Sequence, residues 1–312
     1  MSSTMRAVSQ HGAGGPEVLG IVTTGRPEPA RGEILVRVRA AGVNPADWKT
    51  RARGGFVSGA TPPFVLGFDV AGVVEGVGPG VTVFRPGDEV FGMPRFPHAA
   101  SAYAEYVTGP ARHFAPRPRG LDHVRAGALP LAGLTAWQAL VDTADVRPGQ
   151  RVLIHAAAGG VGHLAVQIAK ARGAHVIGTA SAAKHELLRS LGADELIDYR
   201  VQDVADAVRD VDVVLDAVGN ASLRPLRRGG ICVSILPPDD RFRTREAEEA
   251  GVRAVFMLVE PDRQGLREIG ALVEAGRLRV IVDATFPLER AAEAHALGET
   301  GRTTGKIVLT VG

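Results

Sequence analysis

The sequence predicts an α/β protein in two parts: an all-β domain, and a domain built on a doubly wound parallel sheet. Two patterns carry this. Up to about residue 122, short apolar runs such as ILVRVRAAGV, FDVAGVVEGVG, DEVFGM and AEYVTG are broken by Gly and Pro every ten or so positions. That is the pattern of strands linked by turns. From about residue 123, strand-like runs alternate with helix-length amphipathic stretches, as in successive βαβ units. The length of 312 residues agrees, because roughly 100–200 residues per domain gives two domains.

In order along the second part, RVLIHA reads as a strand, VGHLAVQIAKARG as a helix, HVIGTA as a strand and AAKHELLRSLGA as a helix. The β-branched runs ELIDY, VDVVLDAVG, GGICVSI and AVFMLV follow as further strands. From about residue 279 the chain reads as a helix flanked by strands, able to pack back on the first domain. The expected domains are therefore 1–122 completed by 279–312, and 123–278. The last strand of the parallel sheet, near Ala254–Val259, is an apolar edge. Soluble proteins normally cover such an edge, and a second copy of the chain would do so. A homodimer is expected.

Composition narrows the function. Thirty-six Lys and Arg against 34 Asp and Glu leave a net charge of +2, too balanced for a nucleic-acid or membrane-surface footprint. One cysteine, Cys232, excludes an internal disulfide and any multi-thiolate metal site. It reads as a buried small apolar residue of a central strand. The N-terminal stretch has no signal-peptide core, and no apolar run reaches the 18 or so residues of a membrane span. A cytoplasmic protein is expected.

The most specific motif is Ala156-Ala157-Ala158-Gly159-Gly160-Val161-Gly162. It leaves a strand and opens a helix, and Ala157, Gly159 and Gly162 fill the three places of the G-x-G-x-x-G spacing. The middle glycine lets backbone approach a pyrophosphate; the last lets helix and strand pack closely. The helix N-terminus adds free N–H groups and a partial positive charge. The competing reading, a tight turn without a ligand, is disfavoured by the βαβ setting. An NAD site places an acid at the end of the second strand. Here the strand runs into Ser181, and no acid precedes Glu186. Ser181 can donate to a 2′-phosphate and Lys184 can neutralise it, so NADP(H) is expected. Ser181 as a helix cap and Lys184 as a solvated first-turn residue remain compatible with this; the missing acid carries more weight.

Gly42-Val43-Asn44-Pro45-Ala46-Asp47, Gly67-Phe68-Asp69-Val70-Ala71-Gly72-Val73-Val74, Arg85-Pro86-Gly87-Asp88-Glu89-Val90, Leu134-Thr135-Ala136-Trp137, the Gly-rich turn and Gly305-Lys306-Ile307-Val308-Leu309 occur in that order. Together they resemble the zinc-independent quinone oxidoreductase (zeta-crystallin-like) branch of the medium-chain dehydrogenase/reductases. The resemblance implies a GroES-like β domain completed by the C-terminal tail, with a Rossmann domain inserted. The zinc alcohol dehydrogenases have a ligand Cys at Asn44 and a His-Glu pair at Phe68-Asp69. Asn and Phe cannot supply a zinc donor set, so no zinc is expected. His155 and His163 are read as structural.

The implied activity is NADPH-dependent hydride transfer to a quinone or an α,β-unsaturated carbonyl, with a small-molecule substrate and no nucleic-acid or membrane partner. The alternatives are a pathway-specific enoyl or ketone reductase, and a non-catalytic NADPH-binding protein of crystallin-like or RNA-binding kind. By resemblance, Asn44 and Asp47 line the nicotinamide side and are the catalytic candidates. Their ordinary readings are a turn starter and a helix cap. Thr135 matches a position beside the nicotinamide or its phosphate, or caps a helix. Tyr199 matches one that stacks on adenosine or reaches the 2′-phosphate. Topology adds Val218, Gly219, Ile235-Leu236 and Met257–Val259 beyond the strand ends. Lys306 either reaches the pyrophosphate or is a surface lysine. Tyr103 or Tyr106 serves as a phenolic acid or packs in the β domain. The loops 51–63 and 94–102 are expected to border the substrate, and 241–249 to be a solvated helix or loop.

Overall fold

The computed structural model describes residues 3–53, 63–219, 221–236 and 244–312. Residues 54–62, expected to border the substrate, and residues 241–243 lie outside the described residues. The chain forms two compact units, one of Met1–Leu134, Glu260–Glu274 and Val280–Gly312, the other of Thr135–Val259 and Ala275–Arg279.

The first unit begins with β1 (Thr4–Gln10), β2 (Leu19–Gly25) and β3 (Glu33–Val43), then helix α1 (Pro45–Arg53). Strands β4 (Phe64–Val65), β5 (Val70–Val77), β6 (Glu89–Gly92), β7 (Tyr106–Pro110) and β8 (Phe114–Pro116) follow. Asp122 starts α2 (His123–Gly127) by accepting from the Arg125 N–H at 2.7 Å, so one otherwise orphaned donor is satisfied. Helix α3 (Pro130–Trp137) comes next.

The second unit alternates strand and helix as the periodicity predicts. Strand β9 (Arg151–Ile154) leads to α4 (Gly162–Ala171), β10 (His175–Thr179) to α5 (His185–Ser190), and β11 (Glu195–Ile197) to α6 (Val204–Ala207). Strands β12 (Val211–Asp216) and β13 (Leu226–Ser234), helix α7 (Thr244–Ala250) and β14 (Arg253–Phe256) complete it. These six strands form one parallel sheet in the order β11-β10-β9-β12-β13-β14. Helix α4 is buried from Gly162 to Ala169, which is why its sequence is apolar nearly all round. Cys232 is a buried thiol within β13. One edge strand of this sheet is β14, half-buried from Ala254 to Phe256.

The chain then returns to the first unit through α8 (Arg263–Glu274), β15 (Val282–Pro287), α9 (Ala291–Glu299) and β16 (Lys306–Thr310). Asp262 caps α8 by accepting from the Gln264 and Gly265 N–H groups, and Leu266 and Ile269 are fully buried one turn apart. Strand β16 pairs antiparallel with β3 and parallel with β15. The expected packing of the tail on the first domain is thus a continuous sheet, β15-β16-β3-β5-β6-β8, with β7 also on β3. Its core joins Ile34, Val36 and Val38 of β3 to Val70 and Val74 of β5 and to Ile307 and Leu309 of β16. The architecture is a GroES-like β domain and a Rossmann-type parallel-sheet domain.

Candidate active site

In the second unit the candidate cofactor residues lie at the C-terminal ends of the parallel strands, where ligands of open α/β sheets bind. The chain leaves β9 through Ala156, whose φ of +49° is left-handed without being glycine, a conformation costing about 1 kcal/mol. Two bonds tie this turn to the end of β10: Ala156 N–H donates to Thr179 Oγ1 at 3.2 Å, and Ala157 N–H to the Thr179 carbonyl at 3.0 Å.

Gly162 is the packing glycine. A Cβ there would stand 2.2 Å from the Ala156 carbonyl oxygen and 2.7 Å from Ala157 Cα. Gly159 is the open one: its Cβ would meet only the Ala156 oxygen, at 3.2 Å. His163 holds the Gly159 carbonyl, accepting nothing from it: its N–H donates at 3.1 Å and its Nδ1 lies at 2.9 Å. Gly160 and Val161 make no N–H hydrogen bond within the described residues, leaving donors at the α4 N-terminus for an anion. An open glycine over free N–H groups fits a pyrophosphate.

Ser181 stands at the N-cap of the short 3₁₀ turn Ala182–Lys184, with no capping bond from its hydroxyl. Its expected capping role is therefore taken by another residue. Asp198, which sequence reasoning passed over, accepts from the Ala182 and Arg200 N–H groups, each at 3.0 Å. Tyr199 beside it is 58% exposed, placing an aromatic face in solvent at the end of β11. At the end of β12, Asp216 Oδ1 accepts from the Val218 and Gly219 N–H groups at 3.0 and 2.8 Å. The Asp216 carbonyl accepts from Ile235 N–H at 3.1 Å. Asp216 thus holds the Val218, Gly219 and Ile235 backbone in one place. His155 is buried with Nε2 unpartnered, and burial lowers its pKa. Thr135 is buried within α3, past the position where it would cap that helix.

In the first unit, Asn44 and Asp47 are fully inside. Asp47 Oδ2 accepts from Asn44 N–H at 2.8 Å and Oδ1 from Gly67 N–H at 3.2 Å. The Asn44 carboxamide is clamped at both ends: Nδ2 donates to Asp69 Oδ2 at 2.8 Å, and Oδ1 accepts from Lys306 Nζ. Lys306 is 3% exposed, so it is no surface lysine. Its ammonium donates to the Val43 carbonyl at 3.0 Å and to Asn44 Oδ1, and lies 3.5 Å from Asp69 Oδ2. Three acceptors fill its three N–H directions. None is left for a pyrophosphate, which corrects that expectation.

Asp69 Oδ1 also accepts from Leu131 N–H at 2.6 Å. Burial pushes Asp69 up and Lys306 down, and their mutual attraction opposes both shifts. The ion pair is the form that satisfies every hydrogen bond around it. Asp47 has no cation in hydrogen-bond contact, and burial pushes its pKa up to about 7.

Phe68 is buried edge-on against Phe96, with ring centres 5.1 Å apart. With Asn44 engaged by Asp69 and Lys306, neither place presents a metal donor set. Among the described residues no group of three His, Cys, Asp or Glu side chains is arranged to hold a metal. Sequence reasoning singled out Asn44 and Asp47 but missed Asp69, and Lys306 as its buried partner. Asp69 had a signal: it is a charged residue inside an otherwise apolar run, FDVAGVV, and such a residue needs a buried partner.

Comparison with known proteins agrees with this geometry. The family model described as alcohol dehydrogenase GroES-like domain matches residues 30–119, and the one described as zinc-binding dehydrogenase matches residues 191–309. The chain is 40% identical to pikromycin polyketide synthase component PikAII of Streptomyces venezuelae over 91% of its own length, but spans only 8% of that component. It is 35% identical to an NADPH-dependent alkenal/one oxidoreductase, chloroplastic, of Arabidopsis thaliana, over 91% of this chain and 73% of that one. The solved quinone oxidoreductase of Coxiella burnetii superposes with a TM-score of 0.92 at 39% identity, covering 99% of this chain and 100% of the other. The chain belongs to the zinc-independent quinone oxidoreductase family of medium-chain dehydrogenases/reductases.

Proposed function

We propose that this oxidoreductase uses NADPH to reduce a quinone or an α,β-unsaturated carbonyl, without a metal. The observation that carries the reading is the open cradle at Gly159 over the α4 N-terminus, followed by a β10 end that holds Ser181 and Lys184 in place of an acid. The names of the relatives support the acceptor class. In this reading Gly159, Gly160, Val161 and Gly162, with Ala157 beneath, hold the pyrophosphate. Ser181, Lys184 and Tyr199 hold the adenosine 2′-phosphate end, and Val218, Gly219, Ile235 and Thr135 border the rest of the cofactor. The bound cofactor supplies a hydride.

Asn44 and Asp47 act at the reacting end. The Lys306–Asp69 clamp gives the Asn44 carboxamide one orientation, so no reorganisation is needed as charge develops on the acceptor oxygen. Below about pH 7 Asp47 is neutral, and a neutral neighbour disfavours that developing negative charge least. For an enone the hydride forms a C–H bond at the β carbon, and a proton is then taken up at the α carbon. A second copy of the chain paired along β14 would cover the sheet edge, giving a homodimer in the cytoplasm. No described helix is long and apolar enough to cross a membrane.

The likeness to a segment of a polyketide synthase component favours a second reading, an enoyl or ketone reductase with a narrow substrate. Steady-state oxidation of NADPH and NADH against a panel of quinones and enones, with a chelator control, tests both. Chelator-resistant turnover with NADPH preferred is expected. NADPH binding with turnover only on an acyl thioester favours the second reading, and no turnover with any acceptor contradicts both.

A further inference from the structure

The first unit carries a cleft of about 530 Å³ that shares no lining residue with the Asn44–Asp47 cluster. It lies where the start of β1 meets β3, the entry to β7 and the end of β16. Backbone hydrogen bonds fix its shape. The Arg6 carbonyl accepts from Glu105 N–H at 3.0 Å, the Glu105 carbonyl from Val38 N–H at 2.9 Å, and the Arg39 carbonyl from Val311 N–H at 3.0 Å. Thr23, opposite Arg6 in the β1–β2 ladder, lines it from β2. Met5 and Val38, both buried, and Tyr106, which packs on Met5, give it an apolar lining. Its volume is that of a small-molecule site.

Positive charge in this cleft outruns its partners. Val36 and Val38 of β3 belong to the core, so Arg37 and Arg39 share the opposite face, about 7 Å apart along the strand. Both line the cleft. Arg6 is neutralised by Glu105 at 2.9 Å and Glu289 at 2.6 Å. Glu105, the acid that lines the cleft, is held at both oxygens by the Arg6 N–H and Nε. Arg37 and Arg39 have no such match. Glu75 is shared: its Oε1 accepts from Arg26 Nη2 at 3.2 Å, while its Oε2 stands 3.6 Å from Arg37 Nε, beyond hydrogen-bond reach. Arg37 Nε is buried with no hydrogen-bond partner. Arg39 makes no side-chain hydrogen bond or ion pair among the described residues. An anion between the two guanidinium groups would supply the missing acceptors.

We propose that this cleft binds a small molecule through its phosphate group, held between Arg37 and Arg39, with the rest of the ligand against Tyr106 and Met5. One guanidinium saturates a carboxylate through two parallel N–H···O bonds. Two guanidinium groups on one face, with five N–H donors each, match the three oxygens and near −2 charge of a phosphate better. The phosphate is carried by an ester or is free inorganic phosphate. The site is separate from Ser181 and Lys184 of the second unit and does not depend on their role.

The test is calorimetric titration of the whole protein with phenyl phosphate, inorganic phosphate and benzoate at low ionic strength. Phenyl phosphate should bind at least about tenfold tighter than benzoate, which has the same ring but a carboxylate head. Arg37→Gln and Arg39→Gln should each weaken it about tenfold, the loss of one charge-assisted contact. Neither change strands a partner, because Glu75 keeps Arg26 and Arg39 has no acid, so both variants should melt as the wild type does. Lys184→Ala should retain the binding, which separates this site from any phosphate held in the second unit. Inorganic phosphate that binds as tightly as phenyl phosphate, with the same arginine dependence, supports the site with free phosphate as its occupant; tighter phenyl phosphate supports an ester. Binding lost in Lys184→Ala and kept in both arginine variants overturns the proposal. Benzoate that binds as tightly as phenyl phosphate, or no saturable binding of either phosphate, overturns it too.

Discussion

Gly159 and Gly162 lie three residues apart in one turn, yet alanine at each should fail in opposite ways. At Gly162 the new methyl would sit 2.2 Å from a carbonyl oxygen and 2.7 Å from Ala157 Cα. Both are backbone atoms, and they belong to a turn already pinned to Thr179. Relief requires moving α4 away from β9, and overpacking of this kind costs about 3 kcal/mol. For a unit of this size that is a fall in Tm of about 10 °C. At Gly159 the methyl meets one oxygen at 3.2 Å, and φ is not in the left-handed region. The small crowding is offset by the reduced freedom of the unfolded chain, leaving stability within about 1 kcal/mol. The same methyl, however, occupies the approach to the α4 N–H groups, and the loss of close contact with a pyrophosphate costs about tenfold in Kd or more. Thermal melts and calorimetric titration with NADPH read the two effects separately. Gly162→Ala should melt early; Gly159→Ala should melt normally and bind poorly. A Gly159→Ala protein that binds NADPH like the wild type would refute the assignment of this turn to the pyrophosphate.

Three further outcomes follow from the site. Lys306→Met strands Asp69 as an unpaired buried carboxylate, so it should cost about 3–5 kcal/mol in urea unfolding, with much of this recovered in Lys306→Met/Asp69→Asn; a single variant costing under about 1 kcal/mol contradicts the clamp. His295 has a folded pKa of about 3 against an ordinary 6.5, so the unfolded chain binds its proton first and stability falls as pH drops below 6.5. The loss is on the order of 3 kcal/mol by about pH 4. Asp47, raised to about 7 from 3.8, works the other way: the folded state holds the proton more tightly, so its contribution to stability declines as pH rises from 3.8 to 7. His295→Gln should therefore lose the acid-side decline, and urea midpoints that fall as steeply as the wild type's would contradict a buried, neutral His295 imidazole. Lys184→Ala should raise the KM for NADPH about tenfold and leave that for NADH unchanged; equal effects on both cofactors contradict a 2′-phosphate contact.

The Gly-rich turn was legible in the sequence as a strand–turn–helix because everything that defines it is local: a strand, glycines at fixed offsets and the start of a helix within a dozen residues. The return of the tail to the β domain was legible because its last strand is a continuous apolar run. The buried cluster was not. Arg51 and His295 are 244 positions apart, and Lys306 and Asn44 are 262 apart, so no window of sequence shows them as partners. A lysine heading a strand reads as solvent-exposed until its neighbours are known. Helix α8 did have a signal, an Asp262 cap followed by Leu266 and Ile269 at helical spacing. It lay after the run of β-branched strands and was not singled out.

Label transfer tests the central claim most directly. The protein is incubated with NADPH deuterated at C4 of the nicotinamide and with a simple enone, in the presence of a chelator, and the product is analysed by mass spectrometry and NMR. A hydride transfer without a metal places deuterium on the β carbon of the saturated product, with the α hydrogen drawn from solvent. Cofactor oxidation that leaves no deuterium in the product, or transfer that stops when the chelator is added, would contradict the account.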